Sequence, residues 1–184
     1  MIIAIHQPNF FPWLPFYEKI KAADVFVFLG NCQFEKNNYQ NRFYYRDRWH
    51  TMSVNKGLES IVDKRYVSHE KDWNKIKVNL RDKKTILDDY DDCIDDSLYQ
   101  TNRNIITKTL KRLNINAAIE YDSPTSLVST DRLVEICKAF KATKYLAGRG
   151  GMKYMETDKF EAAGIEIEVQ NISVEQSIHV LDIL

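Results

Sequence analysis

Two short, wholly apolar runs near the amino terminus restrict the fold more than any other feature of the chain. The first, Ile2 to Ile5, is closed by His6-Gln7-Pro8; the second, Val25-Phe26-Val27-Phe28-Leu29, follows Asp24. A run without polar alternation suits a strand buried on both faces, as in a parallel sheet covered by helices on both sides. Between the runs, Pro15 sits where the first turn of a helix needs no N–H, so a helix is expected from there to about Ala22. Strand, short helix and strand in such a short span read as a βαβ unit.

The rest of the chain continues the theme after an interruption. From Gln33 to Arg48 aromatics, asparagines and arginines crowd together, and 49–54 alternates polar and less polar residues. That stretch reads as an irregular loop with a hairpin. Trp73, Ile76 and Leu80 fall at helical spacing, and Leu98, Ile105, Ile106, Leu110 and Leu113 do so more clearly. Leu133, Ile136, Cys137 and Phe140 mark a further helix, with Ser129 or Thr130 as its expected cap and Asp131 in its first turn. Strands are expected at 117–120, 145–147 and 165–169. The fold class is therefore α/β: a mostly parallel β-sheet flanked by helices, with an irregular loop and hairpin insertion near residues 30–56. Neither an internal repeat nor a linker rich in Gly, Pro or Ser divides the chain, so a single domain over 1–184 is expected.

Charge and cysteines narrow the function classes. Lysine plus arginine and aspartate plus glutamate both number 26, so no global field draws the chain to nucleic acid or anionic lipid. Cys32, Cys93 and Cys137 match neither a disulfide framework nor the paired spacing of a zinc site. The opening MIIAIHQPNFFPW lacks the basic start of a signal peptide, and no apolar stretch approaches the ~20 residues that span a bilayer. A cytoplasmic protein without membrane insertion is expected. The acidic run from Asp88 to Asp92, continued by Asp95 and Asp96, lacks the spacing and glycine of an EF-hand and reads as a solvated face, and no metal ligands are assigned. His50, His69 and His179 read as structural or surface residues.

Three clusters could carry chemistry. His6-Gln7-Pro8-Asn9 ends the first strand, and ligands of open parallel sheets bind at the carboxyl ends of strands. A histidine there can act as acid, base or phosphate contact, or can simply fix the loop. The second cluster joins Gln33, Lys36, Asn37, Asn38, Gln40, Asn41 and Arg42 with Tyr39 and Tyr44. It is either a hydrogen-bonding surface, with the planar fork of Arg42 suited to phosphate or carboxylate, or a polar loop packed through its tyrosines. The third, Gly148-Arg149-Gly150-Gly151, follows a strand and could let a backbone approach phosphate, but it is neither a P-loop nor a dinucleotide fingerprint.

The run IHQPNFFPWLPFYEKIKAADVFVFL followed by CQFEKNNYQNRF resembles the WbqC-like family. The matching residues are His6, Gln7, Pro8, Pro12, Trp13, Leu14, Lys19, Asp24, Gln33, Phe34, Asn41 and Arg42. WHTMSV, STDRLVEICKAFKATKYLAGRGGMKYM and the tail VEQSIHVLDIL resemble later parts of the same pattern. Within the amino-terminal motifs the chain departs from it at two places. Gly30, Asn31 and Cys32 stand where relatives carry acids before Gln-Phe, so no metal or base role transfers there. Pro15 stands where glycine commonly follows Trp-Leu.

The resemblance implies a place in O-antigen-type surface-polysaccharide biosynthesis, and a transferase or ligase that N-acylates or aminoacylates a nucleotide-linked amino sugar. His6 would be the catalytic base. Gln7, Gln33, Asn41, Arg42, Lys56, Gly148, Arg149, Gly150, Gly151 and Tyr154 would bind substrate. ATP or an acyl donor would be the second reactant, and a nucleotide-linked sugar or another small molecule the partner. The rival reading is a non-catalytic module that binds a sugar nucleotide or a partner enzyme of the same pathway.

Overall fold

A computed structural model describes residues 1–172 and 178–184; the start of the tail segment, 174–177, lies outside the described residues. Five strands form one sheet: β1 (Ile2–His6), β2 (Val25–Phe28), β5 (Ala118–Tyr121), β6 (Lys144–Ala147) and β7 (Glu166–Val169). Their order is β5-β2-β1-β6-β7 and every pairing is parallel, with the amino-terminal strand in the middle. The two apolar runs are the central strand β1 and its neighbour β2, each paired on both sides. The edge strands β5 and β7 carry Glu120, Glu166 and Glu168, charges that discourage a further strand from adding on.

Helices cover both faces. On one, α1 (Leu14–Lys21) and α4 (Leu98–Arg112) pack Phe16, Tyr17, Ile20, Ile106 and Leu110 against Ala4, Phe26, Phe28 and Leu146. On the other, α5 (Ser129–Ala139) and α6 (Thr157–Ala162) pack Val134, Cys137 and Phe160 against Ile3, Ile5, Val27 and Tyr145. Pro15 does lie in the first turn of α1. The expected cap of α5 is different: Ser129 is already helical, Val128 takes the cap position, and no side chain caps the helix.

The interruption between β2 and β5 is larger than the loop expected from sequence. It holds the hairpin β3 (Arg42–Tyr45) and β4 (Arg48–Thr51), then α2 (His69–Asn79) and α3 (Lys84–Asp88), and returns through α4. Arg46 and Asp47 turn the hairpin with φ of 51° and 59°, the two-residue geometry whose twist matches the flanking strands. This layer has its own core, in which Phe10 and Phe11 of the loop after β1 insert among Phe43, Trp73, Leu87, Tyr90 and Ile105. Phe11 stacks on Trp73 with ring centroids 5.7 Å apart and meets Tyr90 edge-on at 5.1 Å. The acidic run is ion-paired to the flanking helices: Lys77 bridges Asp88 and Asp91, Lys108 meets Asp92, and Arg112 meets Asp89.

Candidate functional site

Because all five strands are parallel, their carboxyl ends share one edge of the sheet. The chain leaves β1 toward β2 and β5, then returns to the other side of β1 as β6. The crevice between the ends of β1 and β6 is therefore the topological switch point, where doubly wound sheets bind ligands. His6 is the last residue of β1 and Gly148 the first after β6.

The pairing at this seam stops short. Pairing of β1 with β2 runs from Ile3 to His6, whereas pairing with β6 is confined to Ile2 and Ile3. The carbonyls of Ile2 and His6 accept from the β2 side, from Asp24 N and Leu29 N, so the alternate carbonyls of Ile3 and Ile5 face β6. The Ile5 carbonyl accepts a hydrogen bond of 3.2 Å from Lys19 Nζ of α1. Lys19 is 3% exposed and no carboxylate pairs with it among the described residues. Its ammonium lies 5.9 Å from the centroid of the Tyr145 ring of β6. Burial lowers its pKa to about 8.

His6 is partly buried, edge-on to Phe16 at 5.1 Å. Its Nδ1 lies 2.8 Å from the Gln7 carbonyl, which can only accept, so Nδ1 carries the proton and Nε2 keeps its lone pair. Desolvation first, and then the charge of Lys19, lower its pKa to about 4. The ring is neutral at physiological pH.

A buried amide network anchors the loop that follows. Gln40 Nε2 donates to Gln7 Oε1 at 2.7 Å, while Gln40 Oε1 accepts from Glu35 N at 2.9 Å. Gln7 Nε2 donates to Cys32 Sγ at 3.3 Å. From α4, Asn102 Nδ2 donates to the carbonyls of Pro8 at 2.8 Å and Gln40 at 2.7 Å. Buried amides survive in a core because they are hydrogen-bonded in this way. Beside them, Asp122 at the end of β5 accepts from Gly30 N at 2.9 Å, from Asn31 N and Nδ2, and from Arg132 of α5. The Asp122 and Arg132 side chains are 1% and 5% exposed. Burial raises the Cys32 pKa, which argues against a thiolate there.

The other residues singled out from sequence are spread more widely. Asn41 is buried and donates to the Met52 carbonyl at 2.8 Å, holding the hairpin. The Arg42 guanidinium lies 3.9 Å from the Trp49 ring centroid and donates to the Asn37 carbonyl. Gln33 is exposed and forms an isolated antiparallel bridge with Ser60. Lys56 is exposed in the turn containing Gly57, and Tyr154 is 82% exposed. Gly148, Gly150 and Gly151 face open space, where an added Cβ would meet nothing within 4 Å. Arg149 is exposed, with Nη2 3.2 Å from both Asn171 Oδ1 and the Ile172 carbonyl. His6, Gln7 and the 148–151 turn thus share the carboxyl edge, while Gln33 and Asn41 are engaged in the insertion. Asn102, Asp122 and Arg132 are the residues of this edge that sequence reasoning passed over, and Lys19 and Gln40, noted in the sequence, were given no role in the site. Among the described residues, no group of three or more His, Cys, Asp or Glu is arranged to hold a metal ion, and no helix is long and apolar enough to cross a membrane.

The uncharacterized protein Rv1507c of Mycobacterium tuberculosis is 22% identical over 187 aligned residues, which cover 90% of this chain and 80% of that protein. No solved structure matches the chain. The model of the WbqC-like protein family matches residues 7–178, nearly the whole of the switch-point edge and the insertion. The chain belongs to the WbqC-like protein family.

Proposed function

We propose that the protein is a cytoplasmic transferase or ligase of surface-polysaccharide assembly that forms an amide on a nucleotide-linked amino sugar. The observation that carries this reading is the placement of His6 at the β1–β6 switch point, with Nδ1–H tied to the Gln7 carbonyl and Nε2 left as an acceptor. In the reaction, the sugar amine attacks the carbonyl of an acyl donor or of an acid activated by ATP. As the C–N bond forms, the nitrogen gives a proton to His6 Nε2, and the donor's leaving group departs with its electron pair. The Gly148–Gly151 turn and Arg149 supply backbone and guanidinium donors toward the phosphates.

The test is incubation with nucleotide-linked amino sugars and a panel of acyl donors, or ATP with amino acids, with the amide detected by mass spectrometry. The parent is expected to form product, and His6→Ala to fold normally while turning over roughly 10²–10⁴-fold more slowly. Equal turnover by the two proteins would refute the base role. Specific binding without product from any donor would instead establish the second reading, a sugar-nucleotide-binding module. The low basicity of His6 in the free protein favours that alternative.

A further inference from the structure

An ammonium withdrawn from water costs several kcal/mol unless a charge of opposite sign meets it. Lys19 is withdrawn, yet among the described residues it meets one neutral carbonyl and, at 5.9 Å from its centroid, the ring of Tyr145. An ammonium has three N–H donors, and Ile5 O takes one. It stands beyond the last β1–β6 pair, one residue short of the carboxyl end of β1. At the end of β6 the glycines of the 148–151 turn face open space, and Arg149 places a second cation on that turn, its Nη2 held by Asn171 and Ile172. His6, at the end of β1, presents an acceptor and no donor.

We propose that the β1–β6 seam is an anion site for a phosphate-class group, with Lys19 as its charge anchor beneath the 148–151 turn and His6 Nε2 receiving an N–H or O–H of the same ligand. Two cations and a glycine turn suit a diphosphate better than a single carboxylate, because a diphosphate can meet both charges at once. The lone pair of His6 selects ligands that carry a donor close to the phosphate. This deepens the transferase reading and rests on it for the identity of the donor group, the sugar amine; the anion site itself stands apart from turnover. Anion binding also changes His6, since it offsets the Lys19 charge that opposes protonation of the ring. The histidine then becomes a stronger base when the seam is filled.

Inorganic pyrophosphate and a nucleoside diphosphate, titrated into the parent and Lys19→Met at fixed ionic strength, test the site. Lys19→Met is expected to weaken both by roughly 10- to 100-fold, the worth of a charged hydrogen bond, and to raise the thermal midpoint, because an unpaired buried charge is gone. A preference for the nucleoside diphosphate would mark a nucleotide as the natural source of the phosphate, and equal affinity would mark the phosphate alone. In the parent, the His6 ring followed by NMR against pH should titrate at a higher midpoint with saturating pyrophosphate than without it. Equal affinity in parent and variant, or a His6 midpoint unmoved by pyrophosphate, would overturn the proposal; if Lys19→Met does not fold, the His6 titration decides. Pyrophosphate binding that ignores Lys19 removes this site but leaves the transferase chemistry standing. Lys19-dependent binding in a protein that makes no amide does the reverse.

Discussion

Replacing Asp122 by alanine probes what holds the carboxyl edge together. Asp122 accepts from two backbone amides at the exit of β2, from the Asn31 side chain and from Arg132, and the two charged side chains are almost wholly buried. Removing the carboxylate strands the Arg132 guanidinium, which keeps the Ser123 carbonyl at 2.8 Å as an acceptor but has no counter-charge. Breaking a buried pair from one side costs about 3–5 kcal/mol. The Gly30 and Asn31 amides also lose their acceptor, but water admitted to the vacated space restores part of that, so the two costs do not add. For a chain of this length the thermal midpoint should fall by roughly 8–16 °C, taking about 4 kcal/mol and 2–4 °C per kcal/mol. Urea unfolding followed by circular dichroism measures the change in midpoint at constant slope. The double variant Asp122→Leu with Arg132→Met should be more stable than Asp122→Ala alone, since it removes the stranded charge and leaves only the amides short of an acceptor. A loss below about 1 kcal/mol for Asp122→Ala, or a double variant less stable than the single one, would refute the account.

Two further outcomes follow from the same edge. His6 is held neutral, with a pKa near 4 in the fold against 6.5 outside it. The unfolded chain therefore binds more protons between those values, and stability fully present above pH 6.5 is lost as pH falls toward 4, by up to about 3 kcal/mol from this residue. His179, near 4, and His50, also lowered by burial, add to the same limb, whereas the ion-paired carboxylates of Glu59, Asp82, Asp88 and Asp92 are held below their ordinary range and titrate later. His6→Gln should flatten the slope of thermal midpoint against pH between 6.5 and 4.5, and an unchanged slope would show the ring to be solvated. Gly30→Ala should cost about 1–3 kcal/mol by overpacking, because its Cβ would fall 2.8 Å from Val62 Cγ1 and closer still to the Tyr99 ring; an unchanged urea midpoint would contradict that contact.

The sheet was legible because its signal is local. An apolar run buried on both faces looks the same wherever its neighbours come from, so Ile2–Ile5 and Val25–Leu29 gave the centre of the sheet before any pairing was known. The third and fourth partners, β5 and β6, needed only helix–strand alternation. The insertion was less legible, since its core is long-range: Phe10 and Phe11 pack on Trp73 and Tyr90, and nothing at either position in sequence announces the other. The amide cluster shows the same limit. Composition marked Gln40 and Asn41 as polar and crowded, and only the fold turns Gln40 toward Gln7 and Asn102 and turns Asn41 toward Met52.

Lys19 shows why the charged part of the site was hidden. In α1 the apolar residues Phe16, Tyr17 and Ile20 define the face that meets the sheet, and at 100° per residue Lys19 falls on the flank of that face beside Phe16. A lysine on such a flank ordinarily lays its stem along apolar surface and carries its ammonium out to water. Here α1 lies over the central strands, with the loop after β1 and the carboxy-terminal turn packed around it, so the stem reaches the strand edge before it reaches solvent. Position in the sheet therefore decides whether this lysine is a solvated surface charge or a buried cation awaiting an anion. A helix at an edge strand would have produced the first from the same eight residues, and the central place of β1 produces the second.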